Sequence, residues 1–312
     1  MKMNQAWKKQ GINIRPGTVI TGKWHQHRYV IKQKLGNGAI GSVYLCERNG
    51  HYGALKISEN ATSMTVEVNV LKSLGKVQGS RLGPSLMDVD DWEASRNSTY
   101  SFYVMEYLRG ESLSGFIKKR GHEWTGIFML QLLEDLEHLH QAGWVFGDFK
   151  SENLIVLSHP PKVRWIDVGG TTQIGRAIKE YTEFYDRGYW GLGSRKAEPS
   201  YDLFAFVMVF LNIYYPKRFE KGTSPKATLL KKLYDVRQLR VYRECLKKAL
   251  LGNYQSSSEM RHDLLHAMNH ARRPVRSHNR SDRRDSGKAP LAEGGGIMLA
   301  ALFYYLSSFM LP

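Results

Sequence analysis

The feature that most constrains the fold is a motif in the middle of the chain, GDFKSEN at residues 147–153, which leads directly into the apolar run LIVL. An acid, a lysine two residues later and an asparagine three residues after that lie just before a predicted short strand. Asp148 can accept or orient the proton of an attacking hydroxyl, Lys150 can neutralise a transferring phosphoryl group, and Asn153 can hold a metal ion. The motif therefore predicts phosphoryl-transfer chemistry.

A second acid follows Asn153 by fourteen residues, in the segment IDVGG at 166–170. An acid that comes after a strand and before glycines suits a second metal ligand, which would bridge Mg²⁺ to phosphate groups. We therefore expect Asn153 and Asp167 to bind Mg²⁺ together, with Mn²⁺ as the alternative ion.

A glycine-rich segment lies earlier in the chain, after the strand-like run RYVIKQKL at 28–35 and before a second β-rich run. Its defining residues are Gly36, Gly38, Gly41 and Val43. Glycines let the backbone approach phosphate closely and adopt positive φ. A lone G-x-G-x-x-G also fits a dinucleotide-binding fold, but there it leads into a helix. Strands on both sides, and a valine two residues after the third glycine, predict a hairpin that covers a nucleotide.

A single lysine, Lys56, lies in the apolar strand ALKI. The charge of a lysine with apolar neighbours must be paired. Glu67 is the expected partner, because the apolar residues at 70, 71 and 74 stand beside it at helical spacing. The gap of 11 residues between Lys56 and Glu67 predicts a short connection between the strand and the helix.

The segment FYVMEYL at 102–108 is an apolar strand that ends at an acid. It predicts the strand and hinge that hold an adenine ring, with Met105 facing the rear of the pocket. The Glu106 carbonyl and the Leu108 amide would bond the edge of the ring. For this segment taken alone, an ordinary core strand is the alternative interpretation.

These elements, in this order, resemble the eukaryotic-type (Hanks) protein kinase family over about residues 25–270. The resemblance implies an α+β, two-lobed fold, with ATP and Mg²⁺ between the lobes. The small β-rich lobe is expected at 25–105 and the larger helical lobe at 106–270, after an N-terminal segment at 1–24. The lysine two residues after Asp148 is the serine/threonine pattern of the family.

The resemblance implies a role for each motif residue. The catalytic residues would be Asp148, Lys150, Lys56 and Glu67, and the metal ligands Asn153 and Asp167. The nucleotide would contact Gly36, Gly38, Gly41, Val43, Lys56, Glu106 and Leu108.

Several positions depart from the family's pattern. The family's His-Arg-Asp is FGD at 146–148, so the arginine that receives a phosphorylated activation-loop residue is missing. The family's Asp-Phe-Gly is DVG at 167–169. Phe146 thus replaces the family's smaller histidine, and Val168 replaces the larger phenylalanine that packs on it. We expect this exchange of sizes to preserve the packing between the two positions. These departures keep open a pseudokinase scaffold that binds DNA or anionic membrane, and a kinase of small molecules such as sugars.

The family's Ala-Pro-Glu motif is absent, and residues 197–199 carry the same letters in another order. Its glutamate usually pairs with an arginine late in the helical lobe, and no arginine occurs within 254–259. We expect both partners to be missing together, since the loss of one would strand a buried charge. Asp202 resembles the family's buried helix aspartate, and Thr182 the threonine that contacts the catalytic aspartate and lysine.

The chain carries 45 Lys+Arg against 29 Asp+Glu, a formal net charge of +16. Residues 216–250 hold 11 Lys/Arg and 3 acids, and residues 271–288 hold 7 Lys/Arg and 2 acids, so these segments supply +13 of the total. Such an excess predicts an anionic partner, although charge alone does not separate DNA phosphate from lipid headgroups. We expect both segments to bind double-stranded DNA without sequence preference and with a strong dependence on salt.

The end of the chain predicts a membrane anchor. Residues 271–293 form a basic, Pro- and Ser-containing segment with few large apolar side chains, which predicts a disordered linker. From 297 to 311 no residue is charged, and a helix over 294–312 approaches the hydrocarbon thickness of about 30 Å. An apolar helix docked on the folded domain is the alternative. With Lys/Arg flanks kept in the cytoplasm, we expect a single-pass tail anchor in the cell membrane and a cytoplasmic kinase domain.

A narrower resemblance covers almost the whole chain. Residues 169–191 and 194–206, with the basic linker and the apolar end, resemble the DNA-binding serine/threonine kinases of sporulating bacilli. This resemblance implies a role in sporulation and stimulation by DNA. The expected partners are protein substrates. A second copy of the chain is a further candidate partner, because the phosphate-receiving arginine is missing and activation within a homodimer is then an option.

Overall fold

The computed structural model describes residues 12–38, 41–76, 82–95 and 98–272. The predicted tail anchor at 294–312 lies outside the described residues, as does the basic linker from residue 273 onward. Within the part of the chain that is described, no helix is both long and apolar enough to cross a membrane.

The N-terminal part forms a six-stranded antiparallel sheet in the order β1-β2-β3-β4-β6-β5. Its strands are β1 (Val19–Thr21), β2 (Arg28–Asn37), β3 (Ser42–Arg48), β4 (His51–Ser58), β5 (Leu86–Ser95) and β6 (Ser98–Glu106). The strand predicted at 28–35 is confirmed as the start of the β2–β3 hairpin. The sheet begins earlier than residue 25, where the β-rich lobe was expected to start, because β1 pairs with β2.

Successive residues of the central strands face opposite sides of this sheet. On β4, Leu55 and Ile57 face a core cluster that Ile12 and Ile14, from the chain before β1, help to close. Ala54 belongs to the larger core on the other side, which also holds the apolar face of the following helix. Lys56 shares this second side because it alternates with Leu55 and Ile57.

That helix, α1 (Ala61–Leu74), begins where the Asn60 side chain accepts a hydrogen bond from the Ser63 backbone N–H at 3.0 Å. Its buried face consists of Met64, Glu67, Val68, Val70, Leu71 and Leu74. Two residues separate β4 from α1, so the predicted short connection is confirmed.

The second part of the chain is mainly helical. Its helices are α2 (Leu113–Arg120), α3 (Trp124–Gln141), α4 (Pro199–Tyr214), α5 (Pro225–Asp235), α6 (Arg243–Leu250) and α7 (Ser257–Arg272). Twelve of the sixteen residues of α4 are buried, so this helix runs through the centre of the helical core.

Two short ladders in the helical part hold the loops that carry the predicted motifs. One pairs β8 (Trp144–Val145) with β11 (Thr172–Gln173), and the other pairs β9 (Leu154–Ser158) with β10 (Pro161–Trp165). A third strand, β7 (Glu111–Ser112), pairs with β9. Because β8 and β9 flank the loop at 146–153, while β10 and β11 flank the segment at 166–171, the two segments lie side by side.

Candidate active site

Two glycines allow these segments to touch. Gly147 has φ +78°, and a Cβ atom there would lie 2.5 Å from the Gly170 carbonyl oxygen. A Cβ atom on Gly170 would lie 2.7 Å from the Cβ atom of Asp148. Any larger residue at either position would push the backbones apart. The glycine that replaces the family's arginine at position 147 is therefore required by the contact with residue 170.

The carboxylate of Asp202, at the start of α4, fixes the backbone of the first loop. It is fully buried and accepts hydrogen bonds from the backbone N–H of Phe146 at 2.7 Å and of Gly147 at 3.0 Å. The His140 ring lies 2.9 Å from the same carboxylate and 3.1 Å from the Ser257 hydroxyl. The expected buried aspartate is thus confirmed, and it connects α3 and α7 to the loop that presents Asp148.

Both oxygens of the Asp148 carboxylate have partners. The Lys150 ammonium forms an ion pair with Oδ2, and the Thr182 hydroxyl donates a hydrogen bond to Oδ1 at 3.0 Å. The expected contact between Thr182 and the aspartate is confirmed. Oδ1 therefore already accepts from a hydroxyl group, the kind of group that a serine or threonine substrate presents.

Asn153 and Asp167 offer a set of oxygen ligands. The Asn153 amide nitrogen donates to the Asp148 carbonyl at 3.1 Å, so the side-chain oxygen is the atom that Asn153 can offer to a metal. The Asp167 side chain is 44% exposed and accepts from the Gly169 N–H at 2.9 Å. Carboxylate and amide oxygens are the ligands that Mg²⁺ prefers. These two residues therefore fit a divalent metal.

Lys56 and Glu67 form the predicted ion pair. The ammonium lies 2.9 Å from Glu67 Oε1 and 2.7 Å from Oε2, and the two side chains are only 4% and 1% exposed. It also lies 3.7 Å from Asp167 Oδ1. The pair joins the sheet to α1, and its lysine reaches toward the predicted metal ligand.

Tyr103 completes this pair and was missed in the sequence. Its hydroxyl donates to Glu67 Oε2 at 2.7 Å, and it lies directly opposite Lys56 in the β4–β6 ladder. The alternation of β6 was the available signal, because residues 103 and 105 share one face. Burial raises the pKa of Tyr103 well above its usual value, and the Glu67 carboxylate raises it further, so the hydroxyl stays a neutral donor.

The charge of Lys56 is maintained by its neighbours. Burial lowers the pKa of its ammonium, but the carboxylates of Asp167 and Glu67 raise it more, so the net pKa lies above the usual value. Lys56 is therefore a cation at neutral pH and suits contact with phosphate groups.

Glu180 is a further acid that sequence reasoning missed. Burial raises the pKa of its carboxyl, the Glu67 carboxylate raises it further, and the Lys56 ammonium opposes them. Asp148 and Asp167 also raise it. Glu180 thus adds another carboxylate within electrostatic range of the predicted metal ligands. The irregular loop around residue 180 has no periodic pattern that could have placed it there.

The glycine-rich segment borders Lys56. Gly36 and Gly38 are exposed, and the Gly38 N–H donates to the Gly41 carbonyl at 2.8 Å. Val43, on β3, lies directly opposite Lys56 in the β3–β4 ladder. The glycine-rich turn of the predicted nucleotide-covering hairpin therefore lies close to the buried lysine.

The predicted hinge follows β6. Met105 is buried in the main core, Glu106 is the last residue of the strand, and Leu108 lies two residues beyond Glu106. The Glu106 carboxylate binds the Arg164 guanidinium at 3.2 Å and accepts from the Ser85 N–H at 3.2 Å. These side-chain contacts fix the position of the backbone that was predicted to meet adenine.

The two residues that differ in size from the family's pattern, at 146 and 168, are both part of the core. Phe146 and Val168 are both buried in the same core cluster. The Phe146 ring packs edge-on against Trp165, with centroids 4.7 Å apart, and against Phe149, with centroids 5.4 Å apart.

One expectation was wrong. Glu198 does have a buried arginine partner: Arg187 Nη2 lies 2.6 Å from Glu198 Oε1. The same guanidinium donates to the Ser194 carbonyl at 2.7 Å and to the Ser200 hydroxyl at 2.8 Å. The partner was sought late in the helical lobe, whereas it precedes Glu198 by eleven residues in the same loop.

A second ion pair supports this loop. Asp186 is fully buried and lies 2.7 Å from the Arg195 guanidinium. It also accepts hydrogen bonds from the Tyr201 hydroxyl at 3.0 Å and from the Tyr189 N–H at 2.9 Å. Residues 182–198 are therefore fixed by two internal acid–arginine pairs.

Comparisons with known proteins agree with this geometry. The model of the protein kinase domain matches residues 29–280. Serine/threonine-protein kinase YabT of Bacillus subtilis (strain 168) is 50% identical over 266 residues, which cover 85% of this chain and 79% of that protein. Sporulation protein kinase mde3 of Schizosaccharomyces pombe is 29% identical over 223 residues, or 64% of this chain and 39% of that protein. A crystal structure of a kinase domain matches with a TM-score of 0.60 at 15% identity and covers 80% of this chain and 97% of that one, which shows a shared fold.

Proposed function

Because this chain belongs to the protein kinase family and is a serine/threonine protein kinase, we propose that it works as a membrane-anchored enzyme that DNA binds and stimulates. Kinases of this family act on protein substrates and use ATP with a divalent metal, generally Mg²⁺. The observation that carries the catalytic part of the proposal is the buried Lys56–Glu67 pair, whose ammonium lies 3.7 Å from Asp167.

Each residue of the site then has one task. Asp148 Oδ1 accepts the hydrogen bond of the attacking serine or threonine hydroxyl, while Lys150, paired with Oδ2, neutralises the transferring γ-phosphoryl group. Lys56, held by Glu67, orients the other phosphates of ATP. Asn153 and Asp167 would hold Mg²⁺ or Mn²⁺, which neutralises phosphate charge when bound.

The nucleotide is proposed to lie between the glycine-rich hairpin and the hinge. Gly36, Gly38 and Gly41 would let the backbone approach the phosphates. Val43 would cover the adenine ring, and the backbone of Glu106 and Leu108 would bond its edge.

The basic surface residues of the segment 216–250 support binding of DNA. None of the 11 Lys/Arg of this segment is buried. Four of them pair with carboxylates, namely Arg218, Lys231, Lys247 and Lys248. The other seven have no carboxylate within ion-pair distance among the described residues, so their charge is available to phosphate.

One residue links this surface to the catalytic loop. Arg218 Nη2 lies 2.5 Å from Glu152 Oε1, inside the motif at 147–153. The neighbouring Ser151 hydroxyl shares a hydrogen bond of 2.8 Å with Tyr185, and the Arg218 guanidinium lies 5.3 Å from the centre of the Tyr185 ring. A DNA phosphate that competes with Glu152 for Arg218 would act directly on the loop that carries Asp148, which supports stimulation by DNA.

The remaining parts of the proposal concern location and role. Residues 294–312 would anchor the chain in the cell membrane with the kinase domain in the cytoplasm, and the linker at 271–293 would reach DNA or anionic lipid beside it. A role in sporulation is supported by the resemblance to kinases of sporulating bacilli. Activation within a homodimer is the proposed alternative to stimulation by DNA.

The test uses the full chain in detergent with Mg-ATP and a generic basic protein, with and without double-stranded DNA of two unrelated sequences. We expect phosphoserine and phosphothreonine, stimulation by both DNAs, and loss of stimulation as salt rises. Lys56→Ala and Asp148→Ala should abolish labelling with DNA still bound. Absence of labelling under every condition would overturn the catalytic part.

A matched pair of variants tests the DNA surface. Replacing Lys226, Arg237 and Arg240 by alanine should weaken DNA binding and lower its salt dependence, because fewer counterions are released. Replacing Arg109, Lys118 and Lys76, which are exposed outside this segment, removes the same charge and should leave binding almost unchanged. Equal losses of DNA binding in both variants would show that only net charge matters. Deletion of residues 271–288 measures how much the linker contributes to DNA binding.

A further inference from the structure

The two edges of the six-stranded sheet meet at a cluster of histidine and aspartate side chains. The turn between β1 and β2 lies against β5, at the other end of the strand order, and the Lys23 N–H donates to the Asp91 carbonyl at 2.8 Å. His25 and His27 come from this turn, and Asp88 comes from β5. None of the three belongs to the phosphoryl-transfer site.

The ligand atoms of the cluster converge. His25 Nδ1 lies 2.8 Å from Asp88 Oδ1, and His27 Nδ1 lies 2.8 Å from Asp88 Oδ2. One atom from each of the three residues falls within 4.8 Å of the others. A tetrahedral ion with bonds of about 2.0–2.2 Å holds its ligand atoms about 3.3 Å apart. Shifts of about an ångström would therefore complete a coordination shell.

The turn is held in this shape by its own contacts. The Asp90 carboxylate accepts from the backbone N–H of Trp24 at 2.9 Å and of His25 at 2.8 Å. Gln26, between the two histidines, has φ +56°, a left-handed conformation that a residue with a side chain rarely adopts. This conformation directs the rings of both His25 and His27 to Asp88.

Hydrogen bonds from neighbouring groups orient the Asp88 carboxylate, as they do for carboxylates that bind metal ions. The Tyr29 hydroxyl donates to its Oδ2 at 2.5 Å, and the Val89 N–H donates to its Oδ1 at 2.9 Å. Its side chain is 5% exposed, whereas that of His25 is 53% exposed. The cluster is therefore anchored on the protein side and open to solvent on the other, which leaves room for a water ligand.

No single protonation state of the His27 ring satisfies both neighbours of its Nδ1 atom. Its Nδ1 lies 2.8 Å from Asp88 Oδ2 and 2.9 Å from Arg48 Nη1. The arginine only donates and the carboxylate only accepts, so a protonated nitrogen serves one neighbour and a bare nitrogen serves the other. A cation bound to bare His27 Nδ1 would satisfy both the ring and Asp88, with the Arg48 guanidinium moving aside.

We propose that His25, His27 and Asp88 form a Zn²⁺ site, with water as the fourth ligand, that fastens the β1–β2 turn to β5. Two imidazole nitrogens and a carboxylate suit zinc, and three protein ligands with one open position are a recurrent zinc arrangement. The ion takes the place of the Nδ1 protons, so its binding releases protons to solvent. It shares no residue with the predicted Mg²⁺ ligands.

The experiment titrates the chelator-treated full chain with ZnCl₂ by calorimetry and by thermal denaturation. The variant His25→Ala/His27→Ala should bind one equivalent fewer than the wild type. The control is His266→Ala/His270→Ala on α7, which removes another close imidazole pair, with Nε2 atoms 3.0 Å apart. Zn²⁺ at 100 times its dissociation constant should raise the melting temperature of the wild type and the control by about 5 °C. The same addition should not raise that of the first variant.

Two further variants keep the test valid if the double variant folds poorly. His25→Ala alters an exposed side chain and should weaken Zn²⁺ binding at least about tenfold. Arg48→Met removes a competing cation and should tighten binding several-fold. Zinc binding that is equal in the wild type and the His25 variants, or that is lost only with the α7 pair, would overturn the proposal.

Discussion

Charged side chains are arranged in opposite ways in the cleft, which is the site around Lys56 and Asp148, and in the loop at 182–198. Four carboxylates converge in the cleft, from Glu67, Asp148, Asp167 and Glu180. Two lysines, Lys56 and Lys150, face them. In the loop, two acids meet two arginines one to one.

The two arrangements indicate which charges serve a ligand. An excess of carboxylate near a partly exposed aspartate suits a divalent cation and phosphate, whereas the loop pairs have their hydrogen bonds taken up by the protein itself. Removing a cleft charge should therefore change chemistry, and removing a loop charge should change mainly stability.

The largest effect is expected from Lys56→Met. Phosphoryl transfer should fall by roughly 10³-fold, because a fixed cation at the phosphates is lost. The free energy of unfolding should also fall by about 3 kcal/mol, since Glu67 is left buried with Tyr103 as its hydrogen-bond donor. Kinase assays and denaturant unfolding measure the two losses.

The double variant Lys56→Met/Glu67→Leu separates these losses. It removes both charges and should recover most of the stability, because no buried charge is left unpaired. Its activity should remain as low as that of Lys56→Met. Recovery of transfer in the double variant would show that the pair is only structural.

Arg187→Met should lower stability with little loss of activity. It removes the donors to the Ser194 carbonyl and the Glu198 carboxylate, so we expect a loss of about 1–2 kcal/mol of stability. Turnover with saturating substrate should fall less than about tenfold, because the loop contributes to catalysis only by positioning other groups. Arg187→Lys is the control, because it keeps the charge but not the fork of donors. A loss as large as that of Lys56→Met would erase the distinction between the two regions.

The difference also explains what the sequence could predict. Lys56 and Glu67 lie on a strand and a helix, where alternation and helical spacing fix the direction of each side chain. Arg187 and Glu198 lie in an irregular loop, and their meeting depends on the path that Asp186 and Arg195 impose. Periodicity carries no information about such a path.

Tyr103 is an intermediate case, since only part of its placement could be predicted from the sequence. The apolar strand around it was predicted, but its contact with Glu67 also required the register of β6 against β4, which pairs Tyr103 with Lys56. Register is set by long-range pairing and is not readable from one strand. The motifs thus predicted the chemistry of the site, and the structure was needed for the residues that support it.

Tyr103→Phe tests that supporting contact. It removes one of the hydrogen bonds to Glu67 and keeps the ring in the core, so about 1 kcal/mol of stability should be lost. Transfer should fall only several-fold, because Lys56 still pairs with Glu67. Thermal denaturation and the Michaelis constant for ATP provide the measurement. Phe102→Leu, on the opposite face of the same strand, is the control: it should lower stability without changing the constant for ATP.

The smallest effect concerns the excess of negative charge itself. Burial raises the pKa of the Glu180 carboxyl above its ordinary value in the fold, and the Glu67 carboxylate raises it further. An acid with a raised pKa binds its proton more tightly in the folded state, so ionising it destabilises the fold as pH rises above that range. Glu180→Gln should therefore raise the melting temperature by about 2 °C at neutral pH, in the absence of nucleotide and metal.

The advantage of Glu180→Gln should shrink as pH falls, because below the ordinary pKa of glutamate the wild-type side chain is also neutral. It should shrink at neutral pH as well when Mg²⁺ and ADP are added, since their binding offsets the same repulsion. Glu183→Gln, an exposed acid of the same loop, is the control and should show neither dependence. A benefit of Glu180→Gln that is constant with pH would mean that the carboxylates of the cleft do not repel one another, and the contrast with the balanced loop would fail.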